Sequence, residues 1–203
     1  MHKPFLVIAG NIGSGKTTLA AKLGEELGIA LVAEPASSNP YLEDFYKDMA
    51  SHAYHSQLFF LASALHEHRQ IEARGGGAVL DRSIYEHYLV FAQQLHLDGQ
   101  ISDADFSVLS DLYYGVQDLL PPPHLVVMLE ASTDQLYKRI VSRGGADKSI
   151  SVEYLESLQV RYREFSDGWV ACPLLKVDTE QVDSRTPQGL EELAGMVLAS
   201  LPA

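Results

Sequence analysis

A chain of 203 residues with 46% hydrophobic content is long enough for one domain with a sizeable core. Its net charge of −12, from 15 basic and 27 acidic residues, repels DNA and RNA backbones and argues against a nucleic-acid polymer as partner. Apolar runs such as Leu125 to Leu129 are far too short to span a membrane, and the one cysteine, Cys172, excludes an internal disulfide and fits a reducing cytoplasm.

The first predicted strand, 4–9, has no signal-peptide cleavage site and runs directly into Gly10-Asn11-Ile12-Gly13-Ser14-Gly15-Lys16-Thr17. That segment completes the G-x-x-x-x-G-K-[ST] pattern. A helix follows over 16–27, with Leu19, Leu23 and Leu27 on one face and Gly28 as its stop. Glycines allow several backbone N–H groups to point at one anion, and the helix N-terminus adds partial positive charge. Lys16 then reaches the β- and γ-phosphates, and the Thr17 hydroxyl can ligate Mg²⁺. These features imply a nucleoside triphosphate as ligand.

The second strand, 30–33, leads to Glu34-Pro35, where proline holds the chain extended. A carboxylate there could polarise an attacking hydroxyl. Helices are expected over 40–49 and 54–72. Gln57 lies on the same stripe as Leu61 and Leu65. It either serves free backbone groups in the first turn or holds a nucleobase edge with its amide. The histidines of this region, His52, His55, His66 and His68, lack acids or cysteines at zinc-ligand spacing.

A third strand over 77–80 is followed by Asp81, Arg82 and Ser83, the last able to cap a helix over 83–97. Asp81 suits the second metal-associated position of a phosphate-loop enzyme. After a helix over 102–119 and Pro121 to Pro123 comes the fourth strand, 124–129, and its rival acid, Glu130. The capping box beginning at Ser132 gives Glu130 a local explanation, which favours Asp81. The helix over 133–143 places Arg139 and Arg143 one turn apart before Gly144-Gly145. The pair suits either a lid closing over phosphates or a helix C-terminus that favours cations. A helix over 152–165, a strand over 173–177 ending before Asp178, and a helix over 187–200 complete the chain, with Cys172 expected in core packing.

Strands alternating with helices imply parallel βαβ units, and continuous apolar strands imply a sheet covered on both faces. The fold class is therefore α/β, five parallel strands in a single domain over 1–203. In such sheets ligands bind beyond the carboxyl ends of the strands. Glu34, Asp81, Glu130 and Asp178 all stand there.

In this order the motifs resemble the deoxyribonucleoside kinases over nearly the whole chain. The segment Gly10 to Thr18, Glu34-Pro35, Phe45-Tyr46-Lys47-Asp48, Gln57, Asp81-Arg82-Ser83-Ile84-Tyr85 and Ile150 to Leu155 carry the resemblance. The Asp81 form of the signature resembles the bacterial deoxyadenosine and deoxyguanosine kinases. The resemblance implies a phosphate-loop kinase fold with a short lid near 139–150, a homodimer, and transfer of the γ-phosphate of ATP to a deoxynucleoside 5′-hydroxyl. It makes Glu34 the base, with Arg82 beside it, and places Thr17 and Asp81 on the Mg²⁺ side. Gln57 would pair with the base, while Tyr46 and Asp147 would hold the 3′-hydroxyl. Arg139 and Arg143 match lid arginines, and the loop after Asp178 would face the adenine of ATP.

Three positions depart from the family pattern. The lid reads Arg143-Gly144-Gly145, without a second arginine. Ala64 stands where purine-preferring members often carry an arginine, and His87 stands in the base pocket where its partner acid would be. A nucleoside-monophosphate kinase similar to thymidylate kinase shares the Glu-Pro and Asp-Arg elements, but usually has an arginine where this chain has Ala33. A non-catalytic accessory subunit of the same fold would have no need of Lys16, Thr17, Glu34 and Asp81 together.

Overall fold

The computed structural model describes residues 3–201 apart from positions 74, 76, 118, 145–149 and 184–185. Five parallel strands form one sheet: β1 (Phe5–Gly10), β2 (Ala30–Val32), β3 (Ala78–Asp81), β4 (Leu125–Glu130) and β5 (Leu174–Asp178). Their spatial order is β2-β3-β1-β4-β5. The chain moves one way from β1 to β2 and β3, then returns to the other side of β1 for β4 and β5. That reversal opens a crevice at the carboxyl end of β1, where the phosphate loop begins.

Alternation along the strands builds two apolar layers. Phe5, Val7 and Ala9 face one core with Leu80, Val126 and Met128, and Leu6 and Ile8 face the other with Val79, Leu125 and Val127. The first layer is covered by α3 (Met49–Ala73), α6 (Asp103–Gln117) and α8 (Val152–Gly168), the second by α1 (Lys16–Leu27) and α9 (Pro187–Ala199). The edge strands β2 and β5 are partly exposed, so only the centre of the sheet is buried on both sides.

Two helical expectations change. Instead of one helix over 40–49, a short α2 (Leu42–Phe45) ends early and α3 begins at Met49. The Asp48 carboxylate accepts the backbone N–H of Ser51 at 3.2 Å, an N-cap that starts α3 there, and residues 50–53 contain no glycine or proline to break it. The helix over 83–97 is also interrupted. It comprises α4 (Ile84–Glu86), a π-helical segment (His87–Ala92) and α5 (Gln93–Leu97). Such π turns are frequent at functional sites. α7 (Thr133–Arg143) begins at the Ser132 cap, as the capping box predicts.

Candidate active site

The phosphate loop is held in shape by close approach and by helix α8. At Gly10, φ is 143°, and a Cβ there would lie 2.6 Å from the Leu129 carbonyl oxygen. At Gly13, φ is 82°, and a Cβ would meet the Leu136 carbonyl at 2.9 Å. Neither position admits a side chain. Asn11 donates through Nδ2 to the Leu155 carbonyl at 3.0 Å and to Gln159 Oε1 at 3.1 Å, which ties the loop to α8. Its Oδ1 accepts the Ile12 N–H at 2.8 Å. Lys16 lies along the loop and donates to the Asn11 carbonyl at 3.1 Å. Burial, with Arg82 nearby, lowers its pKa to about 8 against the opposing pull of Asp81, Glu86 and Glu34. Thr17 and Thr18 open α1 on its exposed side.

β3 delivers the second group. Asp81 is 4% exposed, and its Oδ2 accepts the Thr17 hydroxyl at 2.5 Å. Its Oδ1 is buried with no hydrogen-bond partner. A buried, unpaired carboxylate oxygen beside a threonine hydroxyl is a hard oxygen donor set, and it fits Mg²⁺. Glu130, the rival acid, is exposed and lines a second groove with Gln159 and Asp178.

Arg82 has φ 75°, a left-handed conformation found at no other non-glycine residue among those described. Its N–H still bonds the Ile8 carbonyl at 3.2 Å, and the chain then leaves the sheet. This turn aims the buried guanidinium back into the crevice. Its Nε lies 2.9 Å from Glu34 Oε1, an ion pair without the alignment of a good hydrogen bond. Its Nη1 donates to the Tyr162 hydroxyl at 3.2 Å, and the group packs over Phe91 at 4.2 Å from the ring centroid. Burial alone would weaken the Arg82 cation. The surrounding Glu34, Tyr162, Glu86 and Asp81 raise its pKa instead.

These groups open on one cavity of about 440 Å³. Lys16, Thr17, Glu34, Asp81 and Arg82 line it together with Tyr46, Gln57, His87 and Arg143. Phe45, Phe60, Phe91 and Tyr154 also line it. Gln57 is 4% exposed, and its Oε1 has no partner. His87 stacks on Phe60 at 4.9 Å between centroids, and burial with Arg82 and Lys16 nearby lowers its pKa well below the usual value, so it is neutral.

The sequence singled out neither Phe60, Phe91 nor the Tyr154 hydroxyl, which is buried without a partner at the cavity wall. Aromatic residues at helical spacing look the same in a core as in a pocket. Glu86 and Tyr162 were missed too. Only Glu86 left a trace, as the third residue after the Ser83 cap.

Two expected site residues, Arg139 and Asp178, do not line this cavity. Arg139 donates to Thr179 Oγ1 and to the Thr179 carbonyl, both at 2.9 Å, so it braces the loop after β5, whereas Arg143 lines the cavity. The Asp178 carboxylate accepts the Glu180 N–H at 2.8 Å and Gln181 Nε2 at 2.9 Å in that same loop. Asp147 lies outside the described residues.

Known proteins resemble this chain in sequence and fold. The family model described as deoxynucleoside kinase matches residues 6–197. A deoxyadenosine/deoxycytidine kinase of Bacillus subtilis is 36% identical over 88% of this chain and 83% of its own length. A deoxyadenosine kinase of Dictyostelium discoideum is 34% identical over 96% of this chain and 78% of its own. The deoxyadenosine kinase of M. mycoides, solved with the products dCMP and a flexible dCDP, superposes with a TM-score of 0.84 at 26% identity, covering 96% of this chain and 98% of that one. With a phosphate loop, an acid–arginine turn and an adjoining aromatic pocket in one crevice, the chain belongs to the deoxynucleoside kinase family.

Proposed function

We propose that this deoxynucleoside kinase transfers the γ-phosphate of ATP to the 5′-hydroxyl of a purine deoxynucleoside, deoxyadenosine or deoxyguanosine, in nucleotide salvage. The observation that carries the reading is the orphaned Gln57 carbonyl oxygen, buried in the cavity that also holds Lys16, Glu34 and Arg82. A glutamine amide accepts from an exocyclic amine and donates to a ring nitrogen, a pattern that an adenine edge completes and a cytosine edge completes equally, so the choice of a purine rests on the relatives. Relatives named deoxyadenosine kinase and deoxyguanosine kinase support the purine assignment.

In this reading Glu34 accepts the proton of the 5′-hydroxyl, and Arg82 holds the carboxylate in line. Phosphoryl transfer is loose, so the pair acts mainly by positioning and polarising the nucleophile. Lys16 neutralises charge on the phosphates. Arg143 approaches from the lid side, and Arg139 shapes the loop after Asp178 that faces the donor's adenine. Tyr46 and an acid near the lid, best matched by Asp147, hold the 3′-hydroxyl. Thr17 and Asp81 would hold Mg²⁺, which would supply neutralising charge for the donor's phosphates.

Ala33 lines the cavity where a monophosphate kinase would need a cation for its acceptor phosphate, which weighs against that alternative. The reading includes a cytoplasmic homodimer; no helix among the described residues is long and apolar enough to cross a membrane. The purified protein should be assayed with ATP and Mg²⁺ against the four deoxynucleosides and their monophosphates. Purine deoxynucleosides should be the best acceptors. Preferential phosphorylation of a monophosphate would overturn the acceptor assignment, and preference for a pyrimidine nucleoside would overturn the base assignment.

A further inference from the structure

Where β3 leaves the sheet at Arg82, the last residue of β1 loses its neighbour. The register between the two strands ends at Ile8 and Asp81, so the Gly10 N–H has no ladder acceptor on that side. A side-chain carboxylate fills the gap. Glu86, in the first turn of α4 and 0% exposed, accepts the Gly10 N–H through Oε1 at 3.2 Å. The same oxygen accepts the Tyr162 hydroxyl of α8 at 2.9 Å, and that hydroxyl in turn accepts Arg82 Nη1 at 3.2 Å. Oε2 accepts the Ser83 N–H at 3.1 Å and the Ser83 hydroxyl at 3.4 Å.

A helix cap alone would need only the Ser83 contacts. The other oxygen does something a cap does not require: it joins the first glycine of the phosphate loop to the arginine that pairs with Glu34. We infer that Glu86 and Tyr162 are positioning residues, which together hold the entry to the phosphate loop and the Arg82 guanidinium in one fixed relation. The inference rests on the kinase reading, because its value lies in aligning donor phosphate with acceptor hydroxyl. The carboxylate suits the task because it only accepts. Neither the Gly10 nor the Ser83 N–H can reverse, so an amide at position 86 must turn its NH₂ group against one of two fixed donors. Displacement of catalytic groups by about 1 Å costs on the order of 10²-fold in rate.

The two residues should leave different kinetic signatures. Glu86→Leu takes the acceptor away from Gly10 outright, so it should raise the KM for ATP at least ~5-fold and lower kcat at least ~10-fold. Tyr162→Phe keeps the Gly10 and Ser83 contacts but releases Arg82. It should lower kcat roughly 10-fold with the KM for ATP nearly fixed. The double variant should lose less in kcat than the product of the single losses, because both remove the same hydroxyl–carboxylate bond. Turnover by the wild-type protein in the same assay tests the kinase reading separately. Folded variants with wild-type kcat and KM, or losses in kcat that merely match the folded fraction by circular dichroism, would overturn the inference. So would failure of both variants to fold, which would make the pair purely structural.

Discussion

Replacing Gln57 with leucine should move stability and nucleoside binding in opposite directions. The amide is 4% exposed and its carbonyl oxygen finds no partner in the chain. A buried acceptor left unpaired costs about 1–3 kcal/mol. Leucine is similar in size and removes that oxygen, and it continues the stripe of Leu61, which is 3% exposed one turn further on. Allowing for imperfect repacking, the unliganded protein should gain about 1 kcal/mol. For a domain of this size that is roughly 2–4 °C in Tm. The same oxygen, once satisfied by a base, is worth a similar amount to the complex. Its loss should therefore raise the nucleoside KM by about 10- to 100-fold. The KM for ATP should hold within about two-fold, because Lys16 and the phosphate loop carry that substrate. Calorimetry of the free protein and initial rates at saturating ATP would measure both arms. A leucine variant that melts lower than wild type with an unchanged nucleoside KM would show that Gln57 is structural and that the base is read elsewhere.

Further expectations concern the transfer step. Lys16→Ala should keep the fold and lose at least ~10²-fold in kcat/KM, because a cation at the transferring phosphoryl group is gone; near-normal turnover would sink its role. Glu34→Gln should lower kcat by roughly 10²–10⁴ with a smaller change in nucleoside affinity, measured by equilibrium binding without ATP. If Glu34 only solvates a turn, rates will stay at the wild-type level. The pKa of Lys16 in the free protein is lowered to about 8, so its ammonium is present below that pH and lost above it. The kcat/KM for ATP should then decline as pH rises through 8, while kcat persists to higher pH because bound triphosphate favours the charged form. A kcat/KM profile flat to pH 9.5 would contradict this.

Elements and residues whose signal is local were legible in the sequence. Apolar strands bounded by glycine and acids gave the five-stranded sheet, and the strand–loop–helix context gave the phosphate loop. Even the choice of Asp81 over Glu130 followed from a local fact, since the Ser132 cap explained the rival; in the structure Asp81 meets Thr17 and Glu130 lines a different groove. Helix boundaries were harder where capping chemistry competed with periodicity. At Asp48 a side-chain cap decided where α3 begins, and at His87 the π turn left no distinct mark in an unbroken helical pattern.

Side chains whose role depends on distant partners were not legible. Arg139 and Arg143 sit one turn apart, yet the former is claimed by Thr179, 40 positions away. Glu86 reads as half of a capping box, a sufficient local account that conceals its second oxygen, which serves a glycine 76 positions earlier and a tyrosine 76 positions later. Left-handed Arg82 explains why such a partner is needed at all. To aim a guanidinium into the crevice, β3 must leave the sheet at Arg82, which strands a backbone donor at the mouth of the phosphate loop. A buried unpaired donor is costly, so the departure is tolerable only where a side chain replaces the lost ladder. Glu86 is that replacement, and because Tyr162 shares the same oxygen, the repair of the sheet also fixes the arginine that made the repair necessary.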